Sequence, residues 1–174
     1  MPIGSDETSS SGQSVRLRLL GFSTTDILAK ELTRSLAEIG FDSRISQADF
    51  GVVMPELMRR DGEAVDGVVV VTDPRGFHAR DWRQPSVVAQ RHVEEKTIAF
   101  VLALDGFAAA SPSQVLVTTL PQSAAPLAGA LDGHHPDGAA FLVHAFNGAL
   151  RELARRNPRV GLIDADLAMA AVAP

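Results

Sequence analysis

Five strand-like segments alternate along the chain with four stretches of helical periodicity, and nothing else in it restricts the fold as strongly. The clearest apolar segment is Gly67–Thr72 (GVVVVT), a continuous run of the kind found where both faces of a parallel sheet are covered. Val15–Leu20 (VRLRLL) alternates and is bounded by Gly21, and Asp42–Ser46, Val115–Thr119 and Val160–Ala165 read as further strands. Between them, the spacing predicts a helix over Asp26–Ile39, with Ile27, Leu28, Leu32, Leu36 and Ile39 at helical intervals and Gly40 beyond its end. Val53, Leu57 and Met58 suggest a shorter helix. Residues 138–156 predict a long one, with Phe141, Leu142, Phe146, Leu150 and Leu153 on one face.

Ile98–Leu104 (IAFVLAL) is ambiguous by periodicity alone. Only ten residues separate Leu104 from the next strand, whereas a parallel crossover takes a dozen or more. A helix over residues 92–109 follows. The expected architecture is therefore α/β: a three-layer, doubly wound, parallel five-stranded sheet, with every loop that follows a strand gathered on one edge.

A length of 174 residues suits one domain, expected over residues 15–174. Met1–Ser14 is rich in Ser, Gly and acids with only Ile3 to anchor it, and is expected to be a disordered tail. The chain has no cysteine, which excludes disulfides, thiolate metal sites and a cysteine nucleophile. A net charge of -5 argues against nucleic acid as partner. No apolar run approaches the roughly 18 residues of a membrane span, and the N-terminus is not a secretory signal, so a cytoplasmic location is expected.

Four loops at the strand tips carry candidate chemistry. Gly21-Phe-Ser-Thr-Thr-Asp26 places Ser23 and Thr24 at a helix N-terminus, where backbone N–H groups favour an anion or oxyanion. Ser23 is a candidate nucleophile if a base reaches it; otherwise Ser23, Thr24 and Asp26 cap the helix. Ala48-Asp-Phe-Gly51 ends on a glycine whose N–H can approach a substrate, or is an ordinary turn. Thr72-Asp-Pro-Arg-Gly-Phe-His78 puts Asp73 at a strand end, to bind a hydroxyl or to form a turn with Pro74. In Leu131-Asp-Gly-His-His-Pro-Asp-Gly138, Asp132 and His135 stand at D-x-x-H spacing, so the carboxylate can orient an imidazole base. His134 beside His135 has no second ligand cluster, so no metal is expected. Neither G-x-G-x-x-G nor a Walker-type phosphate loop is present, and no cofactor is expected; the fold alone still admits a nucleotide or flavin. His92 and His144 fall on helices and read as packing or surface residues. Asp164 and Asp166 close the last strand, facing a cleft or solvent. Trp82 lies in a polar loop.

Three pieces carry a family resemblance: LLGFSTTDILAKEL (19–32), the DFG turn (49–51) with VVVVTD (68–73), and the long run from Val115 to Asp166 with its Leu-Asp-Gly-x-His-Pro loop. Together they resemble the N-terminal domain of FkbH-like proteins of polyketide assembly, a domain similar to SGNH hydrolases with a flavodoxin-like fold. The resemblance implies an acyl carrier protein, or a separate catalytic subunit, as partner. The Asp-x-Asp-x-[TV] motif of the phosphatase-like domain that follows in complete FkbH-like proteins is absent, so glyceryl transfer is not implied for these residues.

Against the SGNH pattern, Gly21-Phe22-Ser23 matches the Gly-Asp-Ser block with Phe in place of Asp. Gly51 takes the place of the oxyanion glycine. Val71-Thr72-Asp73-Pro74 meets the Gly-x-Asn-Asp block without its Asn. Asp132 and His135 reproduce the Asp-x-x-His block one strand too early. Loss of one oxyanion donor typically costs about 100- to 1000-fold in rate. The resemblance thus implies a degenerate or weakly active module. The alternative is a serine acyl-esterase or acyltransferase built from Ser23, Asp132 and His135, with Gly51, Thr24 and Asp73 around the substrate.

Overall fold

A computed structural model describes residues 13–59, 64–77, 86–122, 134 and 138–172. Its elements in chain order are β1 (Gln13–Gly21), α1 (Asp26–Glu38), β2 (Phe41–Gln47), α2 (Val53–Met58), β3 (Gly67–Val71), α3 (Pro74–Phe77), α4 (Ser86–Ala110), β4 (Gln114–Thr118), α5 (Ala139–Arg156), β5 (Val160–Ile163) and α6 (Ala165–Val172). The strands form one five-stranded sheet in the order β2-β1-β3-β4-β5, every neighbouring pair parallel. This is the flavodoxin-like order, with its switch point between β1 and β3.

Residue alternation along the strands makes two unequal cores. Leu20, Val68, Val70, Val115, Val117 and Val160 face α2, α4 and α5, where Phe100, Leu104, Phe146 and Leu150 complete the main core. Leu19 and Val69 point the other way, onto Ala29 of α1. The long apolar segment is helical, as the crossover argument requires, and α4 begins at Ser86, six residues earlier than expected. β1 begins at Gln13, so Gln13 and Ser14 pair with β2.

The α1 face differs from expectation. Ile27 and Ile39 are 80% and 69% exposed, and the helix packs instead through Ala29, with Leu32 beside it. A helix resting on two strands buries only a narrow stripe, and the residues flanking that stripe stay in water. Two elements were not expected: the single turn α3, opened by Pro74 where the missing N–H has no helical partner to lose, and α6.

Asp66 tethers the start of β3 to β1. Its carboxylate accepts the Arg16 backbone N–H at 2.7 Å, and this bond, with the Arg16 guanidinium nearby, holds its pKa below the ordinary value. A depressed folded-state pKa contributes stability above the unfolded pKa, which is lost as pH falls through the folded value. Asp66→Asn is therefore expected to reduce the difference in urea midpoint between about pH 6 and about pH 2.

Candidate functional site

The β1–α1 turn is shaped by Gly21. A Cβ there would stand 2.5 Å from both the Ser23 carbonyl oxygen and Thr25 Cγ2, so the chain can fold back this tightly only over glycine. Phe22 continues the pairing with β3, its N–H donating to the Val71 carbonyl at 3.1 Å. Its ring turns into the main core, edge-on to Phe77 and Phe100 with centroids at 4.9 and 5.6 Å. Gly76 closes over it: a Cβ there would lie 2.7 Å from Phe22 Cδ1. The Phe22 side chain thus packs among aromatic rings at the β1/β3 switch point.

Ser23, Thr24, Thr25 and Asp26 face Gln47, Ala48, Asp49 and Phe50 across a crevice of about 270 Å³ between the tips of β1 and β2. The Ala48 N–H donates to the Leu19 carbonyl at 3.0 Å, which fixes the β2 loop to β1. Thr25 is buried at the helix N-cap, yet its hydroxyl donates to Gln47 Oε1 at 2.6 Å and makes no cap bond. Side-chain capping of α1 by Ser23, Thr24 or Asp26, an alternative the sequence left open, is likewise not seen. Among the described residues, Ser23 Oγ has no hydrogen-bond partner, and the Asp26 and Asp49 carboxylates have no ion-pair partner. Phe50 stands at the rim, 71% exposed.

The other strand tips use their polar groups on one another. Thr72 Oγ1 donates to the Thr118 carbonyl at 3.0 Å, and the Thr72 N–H donates to Thr118 Oγ1 at 2.9 Å. Thr119 Oγ1 accepts the Ala165 N–H at 2.9 Å. Asn147, buried on α5, donates to the Leu120 carbonyl at 2.9 Å and accepts the Leu120 N–H at 2.8 Å. Asp164 caps α6 by accepting the Leu167 N–H, and Asp166 accepts the Gln122 N–H, both at 3.0 Å, so both carboxylates have structural partners.

The expected site residues divide accordingly. Ser23 and Thr24 line the crevice. Gly51 has φ +78° in the loop before α2, with nothing within 4 Å of where a Cβ would stand; its turn conformation, not crowding, favours glycine. Asp73 is buried at the tip of β3, and its carbonyl accepts the Gly76 N–H at 2.9 Å. Asp132 and His135 lie outside the described residues, as do His78 and Trp82. Among the described residues no histidine lines the crevice: His92, His134 and His144 are exposed, and His144 Nε2 stands 3.1 Å from Gln122 Nε2. Gln47, Asp49 and Phe50 were not singled out as site side chains from the sequence, because the β2 loop drew attention only to its glycine. Among the described residues, no cluster of three or more acidic or histidine side chains could hold a metal, and no helix is long and apolar enough to cross a membrane.

No family model matches the chain, and no curated protein matches it. Solved structures do. The N-terminal part of the Bacteroides fragilis protein BF1531, which contains a phosphatase domain and was solved with Mg, superposes with a TM-score of 0.75 at 13% identity. That match covers 91% of this chain and 42% of the Bacteroides chain, so this chain spans less than half the length of that neighbour. A phospholipase A1 from Streptomyces albidoflavus NA297 superposes with a TM-score of 0.54 at 12% identity, over 90% of this chain and 81% of that one. At these identities the likeness establishes a shared α/β fold alone.

Proposed function

We propose that the chain is a degenerate SGNH-like module that binds an acyl carrier protein or a separate catalytic subunit at the β1–β2 crevice and has little or no hydrolytic activity of its own. The observation that carries this reading is the crevice itself. It offers hydroxyls from Ser23 and Thr24 at a helix N-terminus, but among the described residues no imidazole lines it, and two carboxylates without ion-pair partners there flank the hydroxyls. A serine nucleophile needs a base within hydrogen-bond reach, and developing negative charge needs donors rather than carboxylates. The missing Asn donor and the Phe22 ring at the Asp position point the same way.

Exposed Phe50 supplies an apolar anchor for a partner, and Asp26 and Asp49 favour a partner face bearing Lys or Arg. The Bacteroides neighbour supports the catalytic-subunit form of this reading, since its chain extends well past the matched part and contains a phosphatase domain.

The alternative, an acyl-esterase or acyltransferase with Ser23 as nucleophile, His135 as base, Asp132 as its orienter and the Gly51 N–H as oxyanion donor, draws on one specific observation. The Ser23 hydroxyl is partly exposed and makes no hydrogen bond among the described residues. A fluorophosphonate probe separates the two. No adduct on Ser23 between about pH 6 and about pH 9 is expected, a range in which a histidine base would be active. Rapid labelling that disappears in Ser23→Ala and His135→Ala would establish the enzyme instead.

A further inference from the structure

Among the described residues, α1 covers only half of the sheet face on which it packs. Register places Val69, Leu116 and Gly161 side by side on it, with Val71, Thr118 and Ile163 one step towards the tips. α1 covers the β1–β2 side. Leu116 is 40% exposed although β4 is an interior strand, while its neighbours Val115 and Val117, facing the other way, are completely buried. The strip is also low. Leu116 Cδ2 lies 2.8 Å from where a Cβ on Gly161 would stand, and Leu17 Cδ2 lies 3.0 Å from the same position on Gly67, so each leucine lies over a glycine. Strand glycines of this kind mark places where another backbone can come close, and parallel sheets are ordinarily covered on both faces.

Immediately beyond β5, the eight-residue helix α6 (ADLAMAAV) has the opposite deficiency. Its start is held by the Thr119, Asp164 and Asp166 bonds, yet Leu167 and Met169 are 70% and 61% exposed. A helix this short and apolar is not stable on propensity alone; it needs a surface to pack on.

We propose that the chain self-associates as a two-fold dimer in which α6 of each copy lies on the β3–β5 strip of the other. A second copy is the occupant that meets both deficiencies at once, because a two-fold contact repeats each pairing reciprocally. The dimensions agree: three strands at about 4.8 Å spacing make a strip roughly 14 Å wide, which seats one helix of about 10 Å diameter and, for α6, about 12 Å length. Two such seats bury on the order of 800–1,000 Å² in total, at the low end for specific interfaces, so the dimer forms in the micromolar range or above. The α2–α4 groove, about 700 Å³ and lined by Met54, Leu57, Met58, Leu102 and Phe107, has no such counterpart among the described residues. The dimer does not depend on how the crevice is used.

Light scattering after gel filtration of the full chain, from about 5 to about 500 µM, tests this directly. The mass is expected to rise from monomer to dimer. Leu167→Glu and Leu116→Glu are each expected to raise the dissociation constant roughly 10- to 100-fold, and Met58→Glu in the other groove to leave it unchanged. Mixing the Leu167 and Leu116 variants restores one intact seat and therefore a heterodimer of intermediate affinity. A monomer at every concentration, a dimer indifferent to the Leu167 variant, or a dimer dissolved by Met58→Glu would each overturn the proposal. Leu167 is on the surface, so that variant decides the matter even if Leu116→Glu does not fold.

Discussion

Phe100→Ala is expected to lower the unfolding free energy by about 3–5 kcal/mol, and with it the melting midpoint by roughly 6–20 °C for a domain of this size. The ring is 1% exposed and meets three others: Phe22 at 5.6 Å, Phe77 at 5.2 Å and Phe146 at 5.9 Å between centroids. Truncation therefore removes the apolar burial together with two edge-on contacts and one stacked contact, of about 0.5–1.5 kcal/mol each. It also leaves a cavity under the β1 turn, because Phe22 rests on this ring. Leu102→Ala, on the same helix but 62% exposed, serves as the control and should change stability by no more than about 0.5 kcal/mol. Urea titration or calorimetry of both variants gives the comparison. A loss below about 1 kcal/mol for Phe100→Ala would mean that the ring cluster relaxes into the gap and does not fix the turn.

Asn147→Leu is expected to cost about 2–4 kcal/mol, although it places an apolar residue in an apolar core. The amide both donates to and accepts from Leu120, just past the end of β4, and the replacement leaves a buried N–H and a buried carbonyl unpaired. Each such orphan costs about 1–3 kcal/mol, against which the added apolar burial is a partial offset. Asn147→Asp separates the two bonds. Its carboxylate can still accept the Leu120 N–H but turns a second acceptor, and a charge, towards the Leu120 carbonyl. Protonation restores a donor, so the deficit of this variant relative to the parent should shrink as pH is lowered through the carboxyl pKa. Paired denaturation curves at about pH 7 and about pH 4 read that dependence.

The layout of the sheet was legible because the strands announce themselves. Gly67–Val71 is apolar throughout, and the short link from Leu104 to β4 leaves no room for a crossover, so Ile98–Leu104 had to be helical. Details that depend on which neighbour lies opposite were not legible. Ile27 and Ile39 fit the helical period of α1 as well as Leu32 does, but only the stripe through Ala29 meets the sheet. α6 escaped notice because seven of its eight residues are Ala, Leu, Met or Val, and the single Asp166 in its first turn makes no polar face to give it a period.

At the site, Ser23 and Thr24 were readable from the strand–turn–helix pattern. Phe22 was readable as a departure from the pattern of the resemblance, but its destination was not, since the two rings it meets, Phe77 and Phe100, come from later elements. Gln47 and Asp49 sit at a sequence distance that gives no local sign of contact with the β1 loop. That contact exists because β2 pairs with β1 in a register that brings Gln47 beside Leu19.

The strand order also governs how the chain must assemble. β1 lies between β2 and β3, and Leu17 pairs with Gly67, a residue fifty positions further along, so no hairpin can nucleate the centre of the sheet. Non-local parallel pairing of this kind raises contact order and slows folding. During synthesis the β1–α1–β2 unit can close first, but it must then present a bare strand edge until the GVVVV segment has left the ribosome. That interval, more than the finished structure, is when the polypeptide is most exposed to misassembly and most in need of chaperone cover.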